Sequence, residues 1–357
     1  MSKDYIYQRE GLPYTPTPAG KVGIVYCTST TSASGREDEK RADCEVIEVA
    51  QAVKTALEEK GYRAELVDLD PTRIADLRRF DWVFNLAESI YGFPLADYEI
   101  AEEMEKYNIQ FTGSGSDSLK SCLDKAVTKC ELVSIGIRTP AYEVFQPGST
   151  ILNVLEYPLI IKPIREDGSI GITLDSIVRS DAELEQKVEK VHRMYSQAAL
   201  VEEYIEGRDI TASVIGNGEE AVVLPLSEIT YPEQSGPKLL TFDAKWSPET
   251  LEFQGAKARC PSILAYKVEA MIKDIALRAY RVMGCRDYAR VDFRLQGKVP
   301  FVLEVNANPC INPNDSGFVR SSKAAGYSYA AMVTKIIERA VRDRLQVPQP
   351  ALEAVLV

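Results

Sequence analysis

Between Arg290 and Asn306 two alternating apolar runs, Arg290-Val-Asp292-Phe-Arg-Leu and Val-Pro-Phe-Val-Leu-Glu304-Val-Asn306, flank the short turn Gly297-Lys298. Side chains two apart on a strand share a face, so Arg290 and Asp292 point one way together, as do Glu304 and Asn306 on the neighbouring run. The pattern predicts a hairpin with four polar groups gathered on one side. Two carboxylates and an amide oxygen are hard ligands of the kind Mg2+ takes, its remaining positions filled by water and substrate phosphate oxygens. The plainer alternative is a salt-bridged hairpin in which Arg290 neutralises two acids, and the run by itself leaves both open.

The rest of the composition narrows the chemistry. A chain of 357 residues with 45% apolar content is long enough for two or three cores, which predicts a multi-lobed, enzyme-sized protein. Lysine and arginine total 42 against 53 acids, a net charge of -11, and no basic block stands out, so nucleic acid is not an expected partner. The opening residues lack an apolar signal core and no run of about 18 apolar residues occurs, which predicts a soluble, cytoplasmic protein without a membrane partner. Seven cysteines form no Cys-x-x-Cys pair and read as reduced core thiols. The only histidine, His192, lies in a charged amphipathic helix and reads as a surface or half-buried residue. Catalysis therefore falls to Lys, Arg, acids and metal rather than to imidazole.

Strands alternating with helices up to Gly113 predict an open, largely parallel α/β sheet for residues 1–114. Its elements are strands from Lys21, Ala64 and Trp82, with helices over 41–60 and 98–107. Residues 115–205 read as a small central α+β lobe: a helix over 117–136, strands at 157–163, near 171–174 and at 199–205, and a helix over 181–196. Residues 206–345 read as a larger antiparallel sheet with helices over 263–283 and 327–345. A Pro, Ser, Gly and Thr-rich loop spans 229–251, of a length that usually marks a lid or binding element. A tail follows from 346 to 357. The fold class is thus α/β, with α+β in places.

Further motifs are individually weak. Lys162 at a strand end precedes the turn Asp167-Gly168-Ser169, and a glycine hairpin can lay backbone N–H groups over phosphates while the lysine supplies a point charge. An ordinary turn gives the same letters, and no Walker loop is present. The stretch Val201-Glu202-Glu203-Tyr-Ile205-Glu-Gly-Arg-Asp209 reads as an interlobe connector carrying acids or as a solvated turn. Lys125, in Asp124-Lys-Ala-Val-Thr-Lys129, taken alone is a surface helix lysine.

In their order these pieces resemble the ATP-grasp superfamily, and within it the D-alanine:D-alanine ligase-like branch, across residues 20 to 343. The resemblance implies a three-lobed ATP-grasp fold and a carboxylate–amine ligase that works through an acyl phosphate, releasing ADP and phosphate. It implies ATP and two Mg2+ ions, with Mn2+ as a substitute, and as small-molecule partners a carboxylate donor and an amine acceptor. Lys125 and Lys162 would contact the ATP phosphates beside Ser169, and Lys245 in the long loop would close over them. Glu202, Glu203 and Ile205 would line the adenine edge and Asp209 would take the ribose hydroxyls. Asp292, Glu304 and Asn306 would hold the metals, and Arg290 would face the acyl phosphate. Similar enzymes are commonly homodimers through the first lobe.

The chain departs from the ligase pattern at the substrate end. The family's substrate-orienting His-Gly pair is missing from Phe84-Asn-Leu-Ala-Glu88-Ser-Ile-Tyr-Gly. A hairpin serine and a loop tyrosine, which lock together in the family, are Gly168 and Trp246 here, so that side-chain latch is not expected to form. The acceptor-binding serine falls at Asp315, with Ser316 beside it, and the glycine after Asn-x-x-Pro is Cys310. Asp43, Glu45 and Glu88 are candidates for the first amino group, although acids at a helix start are also favoured by its dipole. A substrate other than D-alanine dipeptide is therefore expected. A true wall-precursor ligase and a non-catalytic ATP-binding scaffold are the alternatives.

Overall fold

The computed structural model describes residues 20–28, 37–87, 89–90, 93–94, 97–232, 236–314 and 316–346. Three sheets carry the architecture. The first is parallel, in the order Arg63–Asp68, Lys21–Tyr26, Trp82–Asn85, with the central strand buried from Val22 to Val25. Such a run, apolar without alternation, is what a strand covered on both faces requires. Helix Glu37–Glu59 buries Val49, Val53 and Leu57 in a core shared with Ile336 and Ile337 of the last helix, Tyr329–Gln346, so chain start and chain end pack together.

Helix over 117–136 is interrupted. Asp124 is extended (φ -84°, ψ 105°) and its carboxylate accepts from the N–H groups of Ala126 and Val127, ending helix Ser116–Leu123 and capping helix Lys125–Ser134. Val127, expected on the buried stripe, is 40% exposed because the break rotates the second helix out of register with the first. Aspartate is a strong N-cap residue, and here capping outweighs helix continuity.

The central sheet is antiparallel, in the order Tyr142–Phe145, Ala199–Glu203, Leu159–Pro163, Ile177–Val178, and is backed by helix Asp181–Tyr195 through Leu184, Val188 and Val191. His192 lies half-buried on that helix with Nε2 2.8 Å from the Phe145 carbonyl, a structural position. The strand expected near 171–174 does not form. Gly168, Ser169 and Gly171 all take positive φ (62°, 66° and 77°), which no strand tolerates, and the chain returns through a 3-10 turn at Leu174–Ser176.

The third sheet runs Lys257–Arg259, Ser227–Thr230, Arg208–Ile215, Tyr288–Gln296, Val299–Asn306, with Val222–Val223 also paired to Arg208–Ile215. Helix Tyr266–Val282 packs on it through Ile272, Ala276 and Tyr280. The stretch 229–251 is less irregular than its composition suggests: the strand runs to Thr230, and Thr241 and Thr250 cap short helices Phe242–Trp246 and Leu251–Gly255. Among the elements that go unread in the sequence are strands Tyr142–Phe145 and Lys257–Arg259 and helix Gly317–Ala324. Among the described residues six cysteines form no disulfide; Cys27, Cys122 and Cys285 are buried as expected, whereas Cys130 is exposed and Cys260 and Cys310 are half-buried. No helix among the described residues is long and apolar enough to cross a membrane.

The first and third sheets are tied by a buried carboxylate. Asp287, fully buried at φ +66°, accepts from Gly113 N–H (2.8 Å), Asn217 Nδ2 (2.8 Å) and Arg344 Nη2 (2.8 Å). Arg286 donates to the Gly113 carbonyl at 2.6 Å, and Ser114 N–H donates to Asn308 Oδ1 at 2.9 Å. Replacing Asp287 by Ala strands the Arg344 charge and forces a Cβ-bearing residue without a local hydrogen bond into the left-handed region. We expect Asp287→Ala to cost about 3–5 kcal/mol in urea denaturation; a loss under about 1 kcal/mol would mean that this junction is dispensable.

Candidate active site

One face of the third sheet carries most of the candidate residues. The register pairs Ser213 with Arg290, Thr211 with Asp292 and Asp209 with Arg294, and on the far side Arg290 with Asn306 and Asp292 with Glu304. Arg290, Asp292, Glu304 and Asn306 therefore meet as the alternation requires. A bulge between Asp292 and Phe293 shifts the register there, leaving Leu303 unpaired beside the two acids. Arg290 grips Asp292 with both arms, Nε to Oδ1 and Nη2 to Oδ2 at 2.7 Å each. Asn306 Nδ2 lies 3.2 Å from Asp292 Oδ2 and 3.4 Å from Glu304 Oε1.

Two carboxylates directly opposite one another are unfavourable on a strand pair unless cations offset them. Burial pushes the Glu304 carboxyl up, but Lys125, Arg290 and Lys162 outweigh it and hold it at about 2. Asp292 goes the other way, raised by burial and by Glu304 against the pull of Arg290. The arginine fork uses only part of the roughly four acceptor positions of a carboxylate. The donor set thus fits a hard divalent cation: two carboxylates and an amide oxygen on one rigid face. No group of three or more His, Cys, Asp or Glu side chains suited to a metal occurs among the described residues.

Above this face the central lobe supplies lysines. Lys162, near the end of strand Leu159–Pro163, pairs with Glu202 Oε2 at 2.5 Å, and Lys129 pairs with Glu202 Oε1 and donates to Thr139 Oγ1 at 2.6 Å. Glu202 is 1% exposed and Lys129 0%, so the connector is no solvated turn. Lys125 is buried too; its ammonium donates to the Glu166 carbonyl and lies 3.9 Å from Asp167 Oδ1. Lys125, Lys162 and Arg290 all act electrostatically on Glu304, lowering its carboxyl.

The glycine hairpin and the long loop meet through backbone carbonyls. Trp246 Nε1 donates to the Gly168 carbonyl at 2.9 Å, Ser169 Oγ to the Leu240 carbonyl at 2.9 Å, and Phe242 N–H to the Ile172 carbonyl at 2.9 Å. The side-chain latch of the family is absent, as expected, yet hairpin and loop are joined by other bonds. Lys245 is exposed, with its ammonium 5.0 Å from the Trp246 ring centroid.

The remaining candidates are placed as follows. Asp209 is ion-paired to Arg294 at 2.6 Å and accepts from Tyr231 at 2.6 Å. Glu203 and Ile205 are half-buried. Cys310 Sγ accepts from Asn312 N–H at 3.4 Å, and Ser316 caps helix Gly317–Ala324 by accepting from Val319 N–H at 3.2 Å. Glu88 and Asp315 lie outside the described residues, as do the side chains of Asp43 and Glu45 in helix Glu37–Glu59. Sequence reasoning missed Lys129, Tyr231 and Arg294. Lys129 had a signal, its spacing of four from Lys125 behind a capping Asp124; the other two had none.

Glu202 is a testable hinge of this cleft. Burial alone would raise its carboxyl, but Lys129 and Lys162 hold it at about 2, below its unperturbed 4.5. A folded pKa below the unfolded one contributes stability above pH 4.5 that is lost as pH falls through about 2. We expect Glu202→Ala to destabilise by about 3–5 kcal/mol at pH 7, since two ammonium groups lose their counter-ion. Part of the wild type's acid sensitivity below pH 4.5 should vanish in the variant, and parallel stability–pH curves would refute the pairing.

Comparison with known proteins gives the family. Residues 134–338 match the family model described as D-ala D-ala ligase C-terminus. The chain is 34% identical over 308 residues to the uncharacterized protein y4sG of Sinorhizobium fredii, covering 82% of this chain and 88% of that protein. It is 32% identical over 328 residues to the D-alanine–D-alanine ligase of Bordetella petrii, covering 90% and 92%. The crystal structure of D-alanine–D-alanine ligase from Bacillus anthracis complexed with ATP superposes with a TM-score of 0.72 at 22% identity, over 91% of this chain and 99% of that one, a likeness of fold. With its three sheets and its match across the C-terminal region, the chain belongs to the D-alanine–D-alanine ligase family of ATP-grasp ligases.

Proposed function

We propose that the protein joins a carboxylate donor to an amine acceptor at the expense of ATP, through an acyl phosphate, and that its substrates differ from the D-alanine pair. One observation carries the ligase reading: strands Tyr288–Gln296 and Val299–Asn306 gather Arg290, Asp292, Glu304 and Asn306 on one face, with Arg290 clamped on Asp292 and Lys125, Arg290 and Lys162 lowering the Glu304 carboxyl. Lys125, Lys162 and the exposed Lys245 would present cations to the nucleotide phosphates. Asp292, Glu304 and Asn306 would hold Mg2+, which when bound neutralises phosphate charge. Glu202, kept ionised by Lys129 and Lys162, fixes the position of Lys162 rather than moving a proton. Arg290, immobilised on Asp292, presents a fixed positive edge toward an anion forming above the sheet. Closure of the hairpin on the long loop would keep water from an activated acyl group.

The substrate side supports a changed specificity. Trp246 replaces a tyrosine of the resembled pattern and spends its one donor on the Gly168 carbonyl, so it presents ring surface and no hydroxyl to the cleft. An aspartate at 315 would repel an acceptor carboxylate and favour a cation or hydroxyl. The name of the Bordetella petrii relative favours the second reading, a D-alanine–D-alanine ligase.

Incubation with ATP, Mg2+ and pooled amino acids including D-alanine, scored by ADP, phosphate and product mass, separates them. We expect a condensed product other than D-alanine dipeptide; the dipeptide would establish the second reading. Glu304→Gln should lower product formation by about a hundredfold or more and abolish the rise in melting temperature that Mg2+ with ATP gives the wild type. Undiminished ligation would remove Glu304 from the metal site.

A further inference from the structure

One pair of buried nucleophiles has no part in the ligase chemistry. Cys122 lies on helix Ser116–Leu123, and Cys285 lies between helix Tyr266–Val282 and strand Tyr288–Gln296. Each is 9% exposed. Ser118 and Cys122 stand four apart on their helix and so share a face. That face meets Cys285: the Ser118 hydroxyl donates to Cys285 Sγ at 3.7 Å, and the Cys122 thiol hydrogen-bonds to the same sulfur.

Donors aimed at one sulfur favour its thiolate. The Cys122 thiol, and after it the Ser118 hydroxyl, hold the Cys285 thiol below its ordinary range against the opposing effect of burial. Cys122, the donor of the pair, is pushed up by that same bond and by burial. The two sulfurs are thus unequal: one is the better nucleophile and the other is a thiol in contact with it, the relation of an attacking cysteine to a resolving one. A small oxidant also has a way in. A cavity of about 470 Å³ opens beside the pair, lined among others by Ser118, Ser121, Met283, Gly284 and Arg286. Its wall therefore includes the hydroxyl that touches Cys285 and chain neighbours of both cysteines.

We propose that Cys285 and Cys122 are a peroxide-oxidisable dithiol, with Cys285 attacking and Cys122 resolving. The Cys285 sulfur attacks one oxygen of hydrogen peroxide and breaks the O–O bond. The hydroxide that leaves takes up the thiol proton as water, and Cys285 becomes a sulfenic acid. The Cys122 sulfur then displaces that hydroxyl, which departs with the Cys122 proton as a second water. Two thiols have lost two electrons and two protons, and one peroxide has become two waters. The disulfide ties the helix that leads through Asp124 to Lys125 to the approach of the strand that bears Arg290 and Asp292. Thiol reductants reverse it. The alternative is a pair of core thiols that only pack.

The test treats the full chain with hydrogen peroxide under native conditions, unfolds it in iodoacetamide to block the remaining thiols, and maps the unreduced digest by mass spectrometry. The expected product is a peptide pair joined through Cys122 and Cys285 and released by dithiothreitol. Cys27, as deeply buried, is the internal control; Cys285 should be consumed about tenfold faster. Cys122→Ala should halt the reaction at the Cys285 sulfenic acid, which dimedone then traps in the variant and not in wild type. Recovery of both cysteines as alkylated thiols after the exposed Cys130 has oxidised would overturn the proposal and leave two inert core thiols. So would a Cys285 that oxidises in wild type without being joined to Cys122. If Cys122→Ala does not fold by circular dichroism, the wild-type map decides alone.

Discussion

The register between strands Arg208–Ile215, Tyr288–Gln296 and Val299–Asn306 is the constraint on which the site depends. Because side chains alternate strictly, a slip of one residue would send Arg290, Asp292 and Glu304 into the apolar core and bring Val291, Phe293 and Val305 out to the cleft. The buried face of the sheet, with those three residues at 0–2% exposure, therefore fixes the chemistry of the other face. Packing energy on one side sets ligand geometry on the other.

That geometry carries a local cost. Asp292 stands opposite Glu304, and Glu202 lies in an interior with two lysines. Each charge would be costly to bury alone, and the chain resolves this by interleaving signs: Arg290 on Asp292, Lys125 and Lys162 facing Glu304, Lys129 and Lys162 on Glu202. Apolar residues of similar volume would serve stability equally well or better at such positions. The ions thus offset one another's burial rather than adding to the stability of the fold.

Much of this was legible in the letters because strand periodicity is local. The Arg290–Asn306 hairpin, the two α/β and antiparallel halves and the buried Val22–Val25 strand all follow from spacing within a few residues. What escaped was of two kinds. Some contacts join segments far apart in the chain, as when Tyr231 and Arg294 meet on Asp209, and no single-sequence pattern marks them. Others end on backbone carbonyls, which every residue possesses. The Trp246 bond to Gly168 is of this kind, so hairpin and loop are joined without a side chain on Gly168. The helix break at Asp124 could have been read, since aspartate at a helix start is a strong signal, but the apolar spacing of Leu119 and Leu123 continues through it.

The turn at Gly113 and Ser114 sits between Asp287 and Asn308, and a Cβ at Gly113 would lie 2.5 Å from Asn308 Oδ1. Asn308 is two residues beyond Asn306. A first-sheet turn is thereby fitted to the exit of the strand that bears Glu304 and Asn306. The consequence is that the turn tolerates no side chain at Gly113 unless Asn308 gives way, so a change in the first sheet's turn is felt two residues from the end of the strand that carries Asn306.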